Sequence, residues 1–367
     1  MTVVARLSVN QYPLLIGDLL LSGEEEEGAP VIHVPTVGPH TGVFPSGAGF
    51  SISDLRQKIT VVGDNLAVAW AGNRLAAQSI IKEIIEINST SSFTFNELAK
   101  YLENLPPVEI NRQVSFVGWV KEGGRVRGFG FRSSEYESDK FGKVGLCGTG
   151  AEDVKEYLED FPEITQGEKD NPLWKAYSTG LLLSGFLLRV EMATHSSLLQ
   201  YYGGGYELLS LQGGKFQKLD DITFIFWEAH VNGKRVTFTL QPRMFKYSYQ
   251  GDALVISTAT LDDLNGGRVG VAVRRTINVV SPIYREISTE EARTYVIPDM
   301  NSKIICNYFL LSLPNNVRQV FARVHLTHGR NPLLRFTERE GIFEAIFDQE
   351  QMSEITQELG THYDSVA

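Results

Sequence analysis

The chain has 367 residues, 43% hydrophobic and 10% aromatic, enough to build sizeable cores and a length that favours about two domains. Its 34 basic against 44 acidic residues give a formal net charge of −10, which leaves no electrostatic footprint for nucleic acid or an anionic membrane. Two cysteines, Cys147 and Cys306, argue against a disulfide framework and fit a reducing, cytoplasmic setting, and ligand spacing for a metal is absent, so neither metal nor cofactor is expected.

Thr2 stands directly behind Met1. Removal of that methionine would put a hydroxyl nucleophile and a free α-amine on one residue, and an α-amine titrates near neutrality. Thr2 opens an apolar run to Val9, which breaks at Asn10-Gln11-Tyr12-Pro13 and resumes as Leu14-Leu15-Ile16-Gly17-Asp18, a predicted hairpin that returns Asp18 to the level of Thr2. A second predicted hairpin runs from Lys58 through the Gly63-Asp64-Asn65 turn to Gly72. From Asn73, Leu75, Ala76, Ile80, Ile84 and Ile87 recur at helical spacing.

These two hairpins and the helix resemble the amino-terminal half of a proteasome β-type subunit, an N-terminal-nucleophile hydrolase, in a bacterial proteasome-like variant with an additional C-terminal region. Asp18 follows Thr2 by sixteen positions and Lys58 precedes Gly72 by fourteen, the spacings of that family's acid, lysine and oxyanion glycine. Gly148-Thr149-Gly150 resembles the family's glycine-serine-glycine turn, with Thr149 in place of the serine that orients the amine. Gly203-Gly204 resembles its late glycine pair. The chain departs from the pattern in three places. Leu20 replaces an arginine, Ser197 to Tyr202 lacks the acid expected before the glycine pair, and the stretch from about 20 to 55, including Glu24 to Glu27, is longer than in the family.

Farther along, Phe95 to Glu103 reads as a helix, Val114 to Val120 and Arg125 to Phe131 as a hairpin, and Asn171-Pro172 as the start of a helix toward Gln200. The apolar run Leu181 to Leu188 is too short to span a bilayer and reads as buried helix. Ile222 to Trp227 and Val236 to Leu240 form a predicted hairpin across Asn232-Gly233. A turn-rich stretch near Asp262 marks the predicted boundary. Beyond it come a hairpin around Pro314-Asn315-Asn316 and an acidic helix from Gln349 to Leu359.

The pattern alone fits an α+β arrangement, and the resemblance implies a four-layer αββα sandwich over 2–265 with a smaller α+β region over 266–367. It also implies a threonine hydrolase with Thr2, Asp18, Lys58, Gly72 and Thr149 as site residues, acting on peptide or unfolded protein inside a ring of identical subunits. No activator is identified by the sequence. An inactive scaffold or sensor, and an amidase for small amides, stay open. Each residue also has a plainer structural reading: Asp18 and Gly72 as turn residues, Lys58 as a strand-edge lysine, Thr149 as a loop residue bonded to backbone.

Overall fold

The computed structural model describes residues 2–24, 30–41, 43–44, 49–161, 171–232, 235–263, 269–313, 318–326, 333–339 and 342–364. The fold is α+β, and the chain divides into two units. The first runs to Leu219 and takes back Asp252–Leu254 and Val280–Arg293; the second holds Asp220–Gly251, Val255–Val279 and the chain from Thr294 onward. This division differs from the expected boundary at 265/266. The hairpin from Ile222, expected to complete the first domain, falls in the second unit because Ile222 to His230 pair in parallel with Ile304 to Ser312.

The first unit contains β1 (Val3–Val9), β2 (Tyr12–Asp18), β3 (Leu20–Glu24), β4 (His33–Val34), β5 (Gly38–Pro39), β6 (Phe50–Leu55), β7 (Ile59–Val62) and β8 (Leu66–Gly72), then α1 (Arg74–Thr90), α2 (Phe95–Glu103) and α3 (Glu109–Arg112). It continues with β9 (Val114–Glu122), β10 (Arg125–Phe131), β11 (Ser134–Ser138), β12 (Gly142–Gly148), α4 (Ala151–Asp160), α5 (Pro172–Thr194), α6 (Ser196–Leu199), β13 (Tyr206–Gln212) and β14 (Lys215–Lys218).

The β1–β2 turn places Asn10 and Gln11 at φ of 48° and 67°, the left-handed pair that a two-residue hairpin turn of matching twist requires. Register Val4↔Gly17 through Val9↔Tyr12 follows from it. Both strands are buried along nearly their whole length, which is why they read as continuous apolar runs and not as alternation. They lie at the centre of a six-stranded sheet, β11-β12-β1-β2-β13-β14. A four-stranded sheet, β10-β9-β8-β7, contributes Ile59, Ala69 and Val117 to the same core as Val4, Leu15, Cys147 and Leu209 of the first sheet.

On the other side of the four-stranded sheet, Ala77, Ile80 and Ile84 of α1 and Leu98 and Leu102 of α2 pack with Val68, Trp70 and Phe116. Asn73 caps α1 by accepting from the N–H groups of Leu75 and Ala76, and Thr94 with Glu97 forms a reciprocal capping box on α2. α4 packs on β1 and β12, and α5 on β2 and β13. α5 starts as the sequence predicts, with Asn171 accepting from Trp174 N–H and Pro172 in the first turn, and it ends at His195 in the left-handed conformation, φ 55°.

The second unit is built on an eight-stranded sheet from β15 (Ile222–Asn232), β16 (Arg235–Gln250), β17 (Ala253–Asp263), β18 (Val269–Val280), then, after the short α7 (Thr289–Ala292) of the first unit, β19 (Ile304–Ser312), β20 (Arg318–Leu326), β21 (Leu334–Arg339) and β22 (Ile342–Phe347). Strand order is β20-β19-β15-β16-β17-β18-β22-β21, and α8 (Gln349–Asp364) packs on β15 and β16. Trp227 stacks on Phe309 at 5.9 Å and meets Phe238 and Phe347, giving this unit an aromatic core of its own. The predicted turns at Gly233 and at Pro314 to Asn316, and Glu25 to Glu27, lie outside the described residues.

Candidate active site

Thr2 enters β1 beside the end of β12, where Val3 pairs with Gly148, and Asp18 closes β2 opposite Tyr206 of β13. The strand ends therefore bring residues distant in sequence to one edge. The Thr2 hydroxyl donates to Asp18 Oδ1. Val3 N–H donates to the same oxygen at 3.1 Å, and Gly203 N–H to Asp18 Oδ2 at 2.9 Å. Both Thr2 and Asp18 are buried, at 1% and 0% exposure. Burial raises the pKa of Asp18, opposed by the charge of Lys58 and by these three hydrogen bonds.

Lys58 lies one residue before β7 and is wholly buried. Its Nζ donates to Leu20 O at 2.8 Å and sits 4.6 Å from the centre of the Trp70 ring. Burial pulls its pKa down to about 8, against the attraction of Asp18 and Glu207. Glu207, from β13, accepts the backbone N–H groups of Lys58 and Ile59 and pairs with Lys218 at 2.7 Å, so the lysine's backbone is fixed as firmly as its ammonium. Asp18 and Lys58 are thus coupled by charge, while the lysine's hydrogen bond goes to a carbonyl.

The other two expected residues are placed differently. Gly72 ends β8 opposite Val114 with φ +99°, and a side chain there would strike Gln113 O at 2.0 Å; the close neighbour of its α-carbon is thus the start of β9. The hydroxyl of Thr149 donates to Gln200 O at 3.0 Å, while the backbone of its turn is what meets Thr2: Gly150 N–H reaches Thr2 O at 3.5 Å. Gly148, with φ +99°, would put a Cβ 1.9 Å from Thr2 O. We predict that Gly148→Ala displaces Thr2 and lowers stability by about 1–3 kcal/mol, measured by chemical denaturation; unchanged stability would refute that close approach.

A third acid, not singled out in the sequence, lies on α5. Glu191 is fully buried, and its carboxylate accepts from the hydroxyl of Thr36, from Ser197 Oγ at 3.0 Å and from Gly204 N–H at 3.0 and 3.1 Å. Burial pushes its pKa up to about 7, against those hydrogen bonds. It occupies the neighbourhood of the glycine pair, where sequence reading finds no acid because it searches only the residues immediately ahead of Gly203. The available signal is its helical phase: Glu191 shares the face of Ser184, Leu187 and Leu188, all buried, where an ionisable side chain is out of place.

Cys147 belongs to the core between the two sheets of the first unit, and burial lifts its thiol to about 12, which leaves it protonated and inert as a nucleophile. Among the described residues no group of three His, Cys, Asp or Glu side chains is arranged to hold a metal ion, and no helix is long and apolar enough to cross a membrane.

No protein-family model and no curated protein matches the chain. Among solved structures, eukaryotic HslV from Trypanosoma brucei is similar over 57% of this chain and 99% of that chain, at 11% sequence identity and a TM-score of 0.34.

Proposed function

We propose that the protein is a threonine hydrolase in which Thr2, made terminal by loss of Met1, attacks a peptide or amide carbonyl, on a fold read as helices outside two facing sheets. The observation that carries this reading is the hydrogen bond from the Thr2 hydroxyl to buried Asp18, with the buried ammonium of Lys58 coupled to the same carboxylate. A threonine that served only to fill a strand end needs neither charge.

In the proposed reaction Thr2 Oγ1 forms a bond to the carbonyl carbon and gives up its proton, the C–N bond breaks, and the amine departs with a proton. Water then hydrolyses the ester and frees the acid. The hydroxyl proton has two acceptors, the free α-amine and Asp18 Oδ1; the second already receives it in the resting geometry, and burial raises its proton affinity. Lys58 supplies positive charge that favours the alkoxide. Gly72 and the Gly148–Gly150 turn are the proposed backbone walls, Gly72 as oxyanion donor and Thr149 as a support for the amine after a local turn of its hydroxyl. Peptide or unfolded protein in a homo-oligomeric ring is the proposed substrate and setting, and small amides are the variant.

The near-complete burial of Thr2 in the chain that still carries Met1 favours a second reading, a non-catalytic scaffold, because substrate must reach Oγ1. Intact-mass measurement combined with an electrophile directed at terminal threonines separates the two. The hydrolase reading expects loss of Met1 and one adduct mapped to Thr2. Retained Met1, or a processed chain that takes up no label, would refute it. Native mass spectrometry tests the ring, with a stable monomer as the opposing result.

A further inference from the structure

The lengthened segment between β2 and β7 is fastened at two places, to Glu191 near the end of α5 and to Tyr201 after α6. Thr36, in the turn between β4 and β5, is 2% exposed and donates its hydroxyl to Glu191. Farther on, Phe44 stacks on Tyr201 at 5.5 Å and Phe50 meets the same ring edge-on at 5.7 Å. The glycine turn follows Tyr201 in the chain. Gly204 donates to Glu191, and a side chain on it would press against Leu20, Leu55 and Val34. Gly203 donates to Asp18, accepts from the N–H groups of Leu19 and Leu20, and would place a Cβ 1.8 Å from Glu191 Oε2. One peptide unit thus separates the carboxylate that grips the added segment from the carboxylate that receives the Thr2 hydroxyl.

We infer that Glu191 is a positioning residue and a proton-sensitive latch, holding the added segment through Thr36 and setting Asp18, and through it Thr2, by way of the Gly203–Gly204 turn. The latch stands on its own contacts, and its effect on Thr2 rests on the hydrolase reading. The three donors to Glu191 are neutral, and the titratable groups that face it are Asp18 from β2 and Tyr202 from the segment after α6. Because the Thr36 hydrogen bond favours the ionised carboxylate, ionisation in turn tightens that bond. With a pKa of about 7 the latch is firm above neutrality and slack below it.

Hydrogen exchange of the full-length protein at pH 8 and pH 6, corrected for intrinsic rates, tests the latch. Thr36→Val should speed exchange across 33–39 about fivefold or more at pH 8 while α1 and α2 stay as in wild type. Wild type should show the same local loosening on passing to pH 6, whereas Glu191→Gln, which cannot titrate, should show none. Equal exchange over 33–39 in wild type and Thr36→Val, or an unchanged pH response in Glu191→Gln, would overturn the inference. If Glu191→Gln does not fold, Thr36→Val decides alone, since it leaves the carboxylate in place. For the effect on Thr2, the rate of electrophile addition at pH 8 should fall about tenfold in Glu191→Gln. An unlabelled wild type would sink the hydrolase reading and leave the exchange result to judge the latch, while a labelled wild type with equal rates in the variant would sink the positioning role.

Discussion

Thr2→Ala is expected to remove hydrolysis and terminal-threonine labelling altogether, a loss of at least about a thousandfold, because Thr2 Oγ1 is the proposed attacking oxygen. Thr2→Ser, which keeps a hydroxyl on the same carbon, should retain both. Alanine also withdraws a donor from the buried Asp18, so a stability loss of about 1–3 kcal/mol should accompany the loss of turnover. Turnover of a peptide library and labelling of folded protein check the first claim, and a denaturation midpoint checks the second. Comparable turnover in Thr2→Ala and wild type would remove the basis for the proposed chemistry.

Lys58→Met is the other change with a large expected effect, nearly as damaging to turnover as Thr2→Ala. Methionine keeps much of the volume and discards the charge, leaving Asp18 buried without its cation, a loss that typically costs about 3–5 kcal/mol. Adding Asp18→Asn removes the stranded charge, so the double variant should recover much of the stability and none of the activity. Recovered stability in the double variant would trace the loss in Lys58→Met to the stranded carboxylate, while its inactivity follows from either substitution because Asp18 is itself a proposed proton acceptor. The pH dependence has a defined sign. The folded-state pKa of Lys58 lies below its ordinary 10.5, so the folded protein releases this proton first, and the cost of burying the ammonium is relieved as pH rises from about 8 to 10.5. Wild type should gain stability relative to Lys58→Met across that window, by about 3 kcal/mol at most; a flat difference would contradict the depressed titration.

The parts of the molecule fixed by local patterning are the ones legible in the sequence. The first hairpin is written in two apolar runs around Asn10 and Gln11, the second in the Gly63-Asp64-Asn65 turn, and α5 in Asn171-Pro172, because each is closed by residues adjacent to it in the chain. The neighbourhood of Thr2, Asp18 and Lys58 follows from those hairpins once their registers are set. Features that depend on distant partners leave weaker marks. Nothing local announces that Ile222 pairs beside Ile304, so the expected end of the first unit falls too late. Nothing beside the glycine pair announces Glu191, which reaches it from a helix separated by a left-handed residue, His195, and the short α6. Thr149 shows the same limit at smaller scale. Its spacing places the turn, while the direction of its hydroxyl is chosen by Gln200, on the far side of α5 in sequence.

The return of Val280–Arg293 to the first unit has a consequence for dissecting the protein. That segment lends Ile283 to the core around Trp70 and Glu286 to the buried Arg56, at 2.7 Å. A fragment stopped at 265 would keep every residue proposed for the chemistry and still lack part of its own interior. The two units therefore alternate along the chain, and simple truncation would confuse loss of a tail with loss of the body.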